Sequence, residues 1–314
     1  MASFVSKEPV IRKHGKLIKN IYRDRHLYLM LVPFLIIYIM FMYRPMWGLQ
    51  IAFKDYNLYQ GISKSAWVGL EHFKTFLESP YFLRTLKNTL LINLYSLVFG
   101  FPMPIILALM INEARSKKFQ KLVQTVTYVP NFISIVVVAG MVINFLSPSS
   151  GIVNILIEKM GGSREYFLTK PEYFRGIFTI MNIWKDTGFN TIIYIAALSA
   201  IDMQLYEACV IDGGGTWRKL WHVTLPGILP TIVIMLILKI GSLLDVGYES
   251  IILLYQPSTY ETADVISSYV YRTGLQEGNY GLGAAVGLFN SAVALVLVFI
   301  SNYISKKLTN TGIW

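Results

Sequence analysis

The 314-residue chain is 54% hydrophobic and 15% charged, and its 28 Lys and Arg against 18 Asp and Glu leave a formal net charge of +10. Soluble domains carry about 25% charged residues, so this composition excludes an ordinary globular enzyme, and an aromatic content of 14% excludes a disordered chain. The single cysteine, Cys209, excludes an internal disulfide and a cysteine-based metal cluster.

In chain order, residues 1–26 are polar and basic, and six apolar runs follow. A helix needs about 20 apolar residues to cross about 30 Å of hydrocarbon. Runs of that order occur at 27–43, 88–111, 126–146, 176–200, 228–247 and 282–304. The first is followed by Arg44, Pro45 and Met46 rather than a small-residue cleavage site, so it reads as a retained helix and not a signal peptide. Pro102 and Pro104 predict a kink in the second. Stretches such as 132–139 and 292–300 are apolar on almost every face, unlike the amphipathic helices of a soluble protein.

The fourth run is interrupted by Trp184-Lys185-Asp186, and Asn182, Asp186 and Asn190 recur at four-residue intervals, with Tyr194 continuing the stripe. Charge at mid-bilayer depth is costly and faces a bundle interior or a wet cavity. Two readings stand side by side. Asp186 or Asp245, the latter in the fifth run, pairs with Lys185 or Lys239 across helices and fixes the bundle. Alternatively the stripe lines a translocation path, where amides and carboxylates meet a polar solute and Trp184 adds an aromatic face. In the sixth run Gly283, Gly287 and Ser291 form a close-packing seam, and Asn290 beside it packs there or faces the path.

With the N-terminus placed inside, the basic segment 1–26 and the cluster Arg115, Lys117, Lys118 and Lys121 fall in the cytoplasm. Lys and Arg are then in excess inside, as the positive-inside rule requires, and the acids lie mostly outside. The charge thus calls for no nucleic acid. The outer segments 44–87, 147–175 and 248–281 are rich in Trp and Tyr, which serve as interface anchors or as a docking surface.

Between the fourth and fifth runs, residues 202–211 predict a short helix that Asp212-Gly213 breaks. A second amphipathic piece carries Trp217, Leu220 and Trp221, and Pro226 ends it. Gly213, Gly214 and Gly215 in succession should loosen the turn. By composition alone this piece is an interfacial helix held by Trp217, Arg218 and Trp221. A helix of this kind pressed into a groove on another protein would instead transmit motion, with Glu207 offering a partner for an arginine. The glycine run is no phosphate loop, because Gly213 to Arg218 lacks the Lys-Ser/Thr ending. His14, His26, His72 and His222 are too scattered for a metal or catalytic site.

This stretch resembles the cytoplasmic signature of permease subunits of binding-protein-dependent ABC importers, Glu-Ala-Ala, then Asp-Gly-Ala, then Leu-Pro. The match covers Glu207, Ala208, Asp212, Gly213, Leu225, Pro226 and Pro230, and departs at Cys209 and Gly214, both normally Ala. Segments 26–33, 43–56, 88–90, 128–130 and 184–190 look like the oligosaccharide branch of that family. The resemblance implies an all-α integral membrane fold of six transmembrane helices, residues 27–304, with a cytoplasmic coupling helix between spans four and five and a cytoplasmic tail, 305–314. It implies ATPase coupling through Glu207, Ala208, Cys209, Asp212, Gly213, Gly214 and Pro226. It also implies a multi-pass protein of a bacterial cell membrane with both termini cytoplasmic. The implied partners are a second permease, two ATPase subunits that hold the ATP and Mg, an extracytoplasmic solute-binding protein and an oligosaccharide. The branch includes importers of alginate and pectin fragments, which extends the resemblance to an acidic oligosaccharide. An ion-coupled secondary transporter using Asp186 and Asp245 is the alternative, although no internal repeat is evident. An integral membrane enzyme would need a catalytic cluster that the sequence lacks.

Overall fold

A computed structural model describes residues 22–309 and Gly312. Most of the predicted basic N-terminal segment and part of the predicted tail lie outside the described residues. Among the described residues the fold is all-α, with one two-residue antiparallel ladder that pairs Lys54 with Trp67 and Asp55 with Ala66. Among the described residues, four helical stretches are long and apolar enough to cross a membrane, Arg25–Phe53, Phe82–Glu113, Thr216–Gly241 and Tyr280–Lys307. Two further pairs qualify only as bent spans, Lys117–Phe132 with Ile135–Phe145 at 99° and Pro171–Ser199 with Met203–Ile211 at 67°.

The third predicted span is therefore not a straight helix. Lys117–Tyr128 is amphipathic, a 3-10 turn at Val129–Phe132 contains Pro130, and Ile133 turns extended before the apolar Ile135–Phe145 helix. Proline withholds an N–H, and although Val129 before it stays helical the ladder tightens to a 3-10 turn and ends at Ile133. The Pro171–Ser199 helix grips the break. A Cβ at Gly188 would fall on the backbone carbonyl of Thr127, Asn131 Nδ2 donates to Asp186 Oδ1 at 3.2 Å, and Lys185 Nζ donates to the Asn131 carbonyl at 3.2 Å.

Proline does something different in the other spans. Pro45, Pro102 and Pro226 each stand two residues after a π-helical turn, at Ile39–Tyr43, Ser96–Gly100 and Leu220–Thr224. In each case the residue just before the proline donates five residues back, Arg44 to Ile39, Phe101 to Ser96 and Leu225 to Leu220. Widening the turn moves away the carbonyls that a proline ring would strike and cannot satisfy. The predicted kink at Pro102 and Pro104 is thus absorbed, and Phe82–Glu113 runs through as one span of 32 residues. For the same reason Pro226 does not end the amphipathic piece, as expected from sequence, but continues it into Leu225–Gly241.

That helix stops at Gly241, earlier than expected, and Asp245 lies beyond it in a turn. Its Oδ1 accepts from Gly247 N at 3.1 Å, and Gly247 has φ +72°, a backbone geometry that glycine takes without strain. The close-packing seam of the last helix holds at Gly283, which meets Gly274, but Gly287 faces open space and Ser291 is exposed. Three apolar clusters bind the bundle, the largest around Ile92, Val138, Phe174, Phe178, Ile251 and Val265. The Arg25–Tyr38 helix buries no residue in this chain.

Candidate functional site

The Pro171–Ser199 helix organises the site. At 1.5 Å per residue its 29 residues extend about 43 Å, and it carries a different structure at its start, its middle and its end.

In the middle, Asn182, Asp186, Asn190 and Tyr194 line one cavity of about 320 Å³. The opposite walls come from Ser96, Gly100, Phe101 and Pro104 on one side and Met235, Leu238, Lys239 and Ser242 on the other. Thr191 Oγ1 donates to the Pro104 carbonyl at 3.3 Å and fixes the helix to that wall. A second cavity of about 380 Å³ shares Asn182 and Asp186 and adds Lys185, Asp245 and Glu249. Four-residue spacing thus brings the predicted stripe to one space, with Asp245 at its extension. Trp184, two residues off the stripe, lines neither cavity and is exposed. Asn290 lines neither; its Nδ2 donates to the Leu244 carbonyl at 3.2 Å and ties the last helix to the turn after Gly241. The ion pair at Asp186 is with its neighbour Lys185 at 3.6 Å, within one helix rather than across helices as expected.

At its end the helix turns through 67° into Met203–Ile211. Asp202 caps this short helix, its carboxylate accepting from Gln204 N at 2.9 Å. The glycines do not loosen the exit. Gly213 takes φ +75° and its N–H reaches the Val210 carbonyl at 2.9 Å, while Gly214 N donates to the Cys209 carbonyl at 2.7 Å. This closes the helix C-terminus in the left-handed manner that glycine favours. A Cβ on Gly214 would strike the Cys209 sulfur and carbonyl, so the two departures from the family signature face each other. The cysteine sulfur occupies space that an alanine methyl at 214 would otherwise claim. Tyr206 hydrogen-bonds Thr224 at 3.1 Å, and Gly227 lets the return helix close on Ile201. Glu207, Ala208 and Asp212 are exposed on this elbow, and Pro226 lies in the return helix. Around them Ile211 is 85% exposed and Trp217 75%, with Met203, Leu205, Val210 and Trp221 also uncovered.

At its start lies a polar network that sequence reasoning missed. Asp264, 0% exposed, receives Arg84 Nη2 at 2.9 Å, Arg272 Nη2 at 2.9 Å and Ser268 Oγ at 2.8 Å. Asn88 Nδ2 donates to the carbonyls of Glu261 and Asp264, both at 3.0 Å, and its Oδ1 accepts from Arg175 Nη2 at 2.9 Å. Burial works against the Arg272 charge, but the hydrogen bonds and negative charge of Asp264 outweigh it, and the guanidinium pKa is raised. Arg272 also lies 5.2 Å above the Tyr260 ring. Desolvation, reinforced by Tyr260, pushes the Tyr255 phenol up to about 12.

With this geometry in view, residues 100–310 match the family described as binding-protein-dependent transport system inner membrane component. The chain is 43% identical over 292 residues to Protein LplB of Bacillus subtilis (strain 168), covering 93% of this chain and 92% of LplB. It is 43% identical over 302 residues to the polygalacturonan/rhamnogalacturonan transport system permease protein YteP of the same organism, covering 96% and 94%. In three dimensions it superimposes with a TM-score of 0.86, at 51% identity, on a chain of a bacterial alginate ABC transporter crystallised with alginate pentasaccharide-bound periplasmic protein. That match covers 95% of this chain and 100% of the other.

Proposed function

The chain belongs to the family of binding-protein-dependent transport system inner membrane components, and on that footing we propose that it forms, with a second permease, the membrane path for an acidic oligosaccharide. It is a permease subunit of the sugar and oligosaccharide class of ABC importers. The acidic substrate is supported by the relatives, one a polygalacturonan/rhamnogalacturonan permease and one an alginate transporter chain. The remaining partners are two ATPase subunits, which bind ATP and Mg, and an extracytoplasmic solute-binding protein. The six-span arrangement counts each bent pair as one crossing, with residues 1–26 and 305–314 in the cytoplasm and the elbow on the same side.

One observation supports the coupling role: a single helix, Pro171–Ser199, lines the polar cavity with its middle and leads through one 67° turn into the exposed elbow. ATP-driven closure of the ATPases would press on Met203–Ile211, and a rigid helix would deliver that displacement to the cavity wall at Asn182, Asp186 and Asn190. The uncovered apolar side chains around Asp212 and Gly213 fit a groove on another protein better than water. An ion-coupled secondary transporter finds no support in the family or the relatives.

The test is reconstitution of the importer with Glu207→Ala or Gly213→Asp. Both variants should insert normally while receptor-stimulated uptake falls about tenfold, in the range of typical coupling energies. Normal receptor-stimulated uptake in both would remove the elbow from the mechanism.

A further inference from the structure

Beyond the membrane cavity, a separate pocket of about 390 Å³ opens beside the Asp264 network, lined by Arg84, Lys87, Asn88, Arg175, Glu261 and Thr262. We propose that this pocket is a carboxylate-binding site that receives a uronate group of the incoming oligosaccharide; the inference rests on the oligosaccharide reading above.

Three cations and one acid line the pocket. Behind it a single buried carboxylate, Asp264, is shared between Arg84 and Arg272. One carboxylate compensates one cation, so the Arg84, Arg272 and Asp264 group keeps a positive excess. Lys87 and Arg175 add to it, and Glu261 alone opposes them. The positive field therefore belongs to the pocket and is not neutralised within the chain.

Arg84, Lys87 and Asn88 share one face of the Phe82–Tyr95 helix at three- and four-residue spacing. Arg84 is held through Nη2 by Asp264, and Arg175 through Nη2 by Asn88, both at 2.9 Å. The Nε atoms of Arg84 and Arg175 are buried with no hydrogen-bond partner, so neither guanidinium is fully compensated. Buried polar groups in native structures are nearly always paired, and an exception calls for a reason. Guanidinium groups pinned at one nitrogen keep other N–H groups for a planar, two-oxygen acceptor, and a carboxylate is the natural match. Lys87, exposed at the rim, supplies a mobile counter-charge. The membrane cavity lacks this excess: Asp186 and Lys239 both line its main part, and Asp186, Asp245 and Glu249 line its extension against Lys185 alone. A carboxylate would thus be retained at the pocket and not drawn into that extension.

The test uses the assembled importer in phosphatidylcholine nanodiscs, with tetragalacturonate and its fully methyl-esterified form as probes. Wild type should bind the charged probe about tenfold more tightly, as expected for hydrogen bonds between charged groups. Lys87→Met should erode that preference several-fold, and Lys87→Met with Arg175→Met should abolish it, with the esterified probe unaffected. If the Arg175 variant fails to assemble, Lys87→Met alone decides, because its side chain is exposed. The proposal is overturned by absence of a charge preference in wild type, or by an unchanged preference in Lys87→Met. It is overturned equally by a parallel loss for both probes, which would mark a receptor contact, or by loss of preference when phosphatidylglycerol replaces phosphatidylcholine, which would assign the pocket to lipid headgroups. ATP-driven uptake separates the two readings: a charge preference in binding without uptake of either probe removes the importer assignment and leaves the pocket.

Discussion

The two ends of the Pro171–Ser199 helix are built on opposite plans. At the Arg175 end, contacts join residues more than 170 positions apart in sequence, through Asp264, Asn88, Arg84 and the Ile266 N–H to Thr89 Oγ1 bond at 3.0 Å. Asp264 and Asn88 are buried there and bonded within the chain, while the Nε atoms of Arg84 and Arg175 keep no partner. At the elbow, the bonds are local, among residues 202–224, and apolar side chains stand uncovered. One end is tied together by buried polar bonds and keeps an excess of positive charge; the other turns apolar surface outward. On the coupling proposed above, a helix fixed at one end and exposed at the other would act as a lever whose fulcrum lies at the Asp264 network.

The contrast breaks most severely at Asp264. Asp264→Ala leaves Arg84 and Arg272 without their shared carboxylate, and removal of one partner from a buried ion pair costs about 3 to 5 kcal/mol. A large drop in the thermal midpoint of the purified assembly is expected; an unchanged midpoint would mean that water or another group already serves the arginines. The elbow should respond more mildly. Gly214→Ala forces a Cβ against Cys209 and should cost about 1 to 3 kcal/mol, as overpacking does. Cys209→Ala in the same chain should recover part of that loss, which a double-mutant cycle on the unfolding midpoint would reveal as non-additivity. The smallest stability effect belongs to Ile211→Asp, within about 0.5 kcal/mol because the side chain is 85% exposed. Its uptake should nonetheless fall, and a variant that is stable, inserted and inactive would sharpen the division between the two ends.

Much of this arrangement was legible in the sequence, for identifiable reasons. Apolar run length reports the spans because lipid offers no alternative partner for exposed backbone. The four-residue recurrence of Asn182, Asp186 and Asn190 reports a shared face because helical geometry requires it. The elbow was marked by its spacing and by the glycine that must follow a helix end. The Asp264 network was not legible, since its partners Arg84 and Asn88 lie about 180 residues away and no local pattern links them. Nor was the 99° break, because a proline such as Pro130 does not by itself predict one: Pro102 and Pro226 are absorbed in helices that continue. What fixes that break is a contact from another helix, Gly188 against Thr127. Trp184 illustrates the limit of reading chemistry from residue type: an aromatic suited to stacking on a sugar sits two positions from the polar stripe and therefore points elsewhere.

The π-helical turn at Leu220–Thr224 also sets an angular phase. It holds one residue beyond an ordinary turn, equivalent to about 100° of rotation. Trp217 and Trp221, at the elbow, lie at or before this turn, and Met235 and Lys239, at the cavity wall, lie after it. Pro226 thus acts as an indexing pin: the extra residue it maintains orients the elbow face and the cavity face of one continuous helix toward their separate neighbours. Relaxation to a plain α-helix would leave both faces chemically intact and mis-timed by more than a quarter of a revolution.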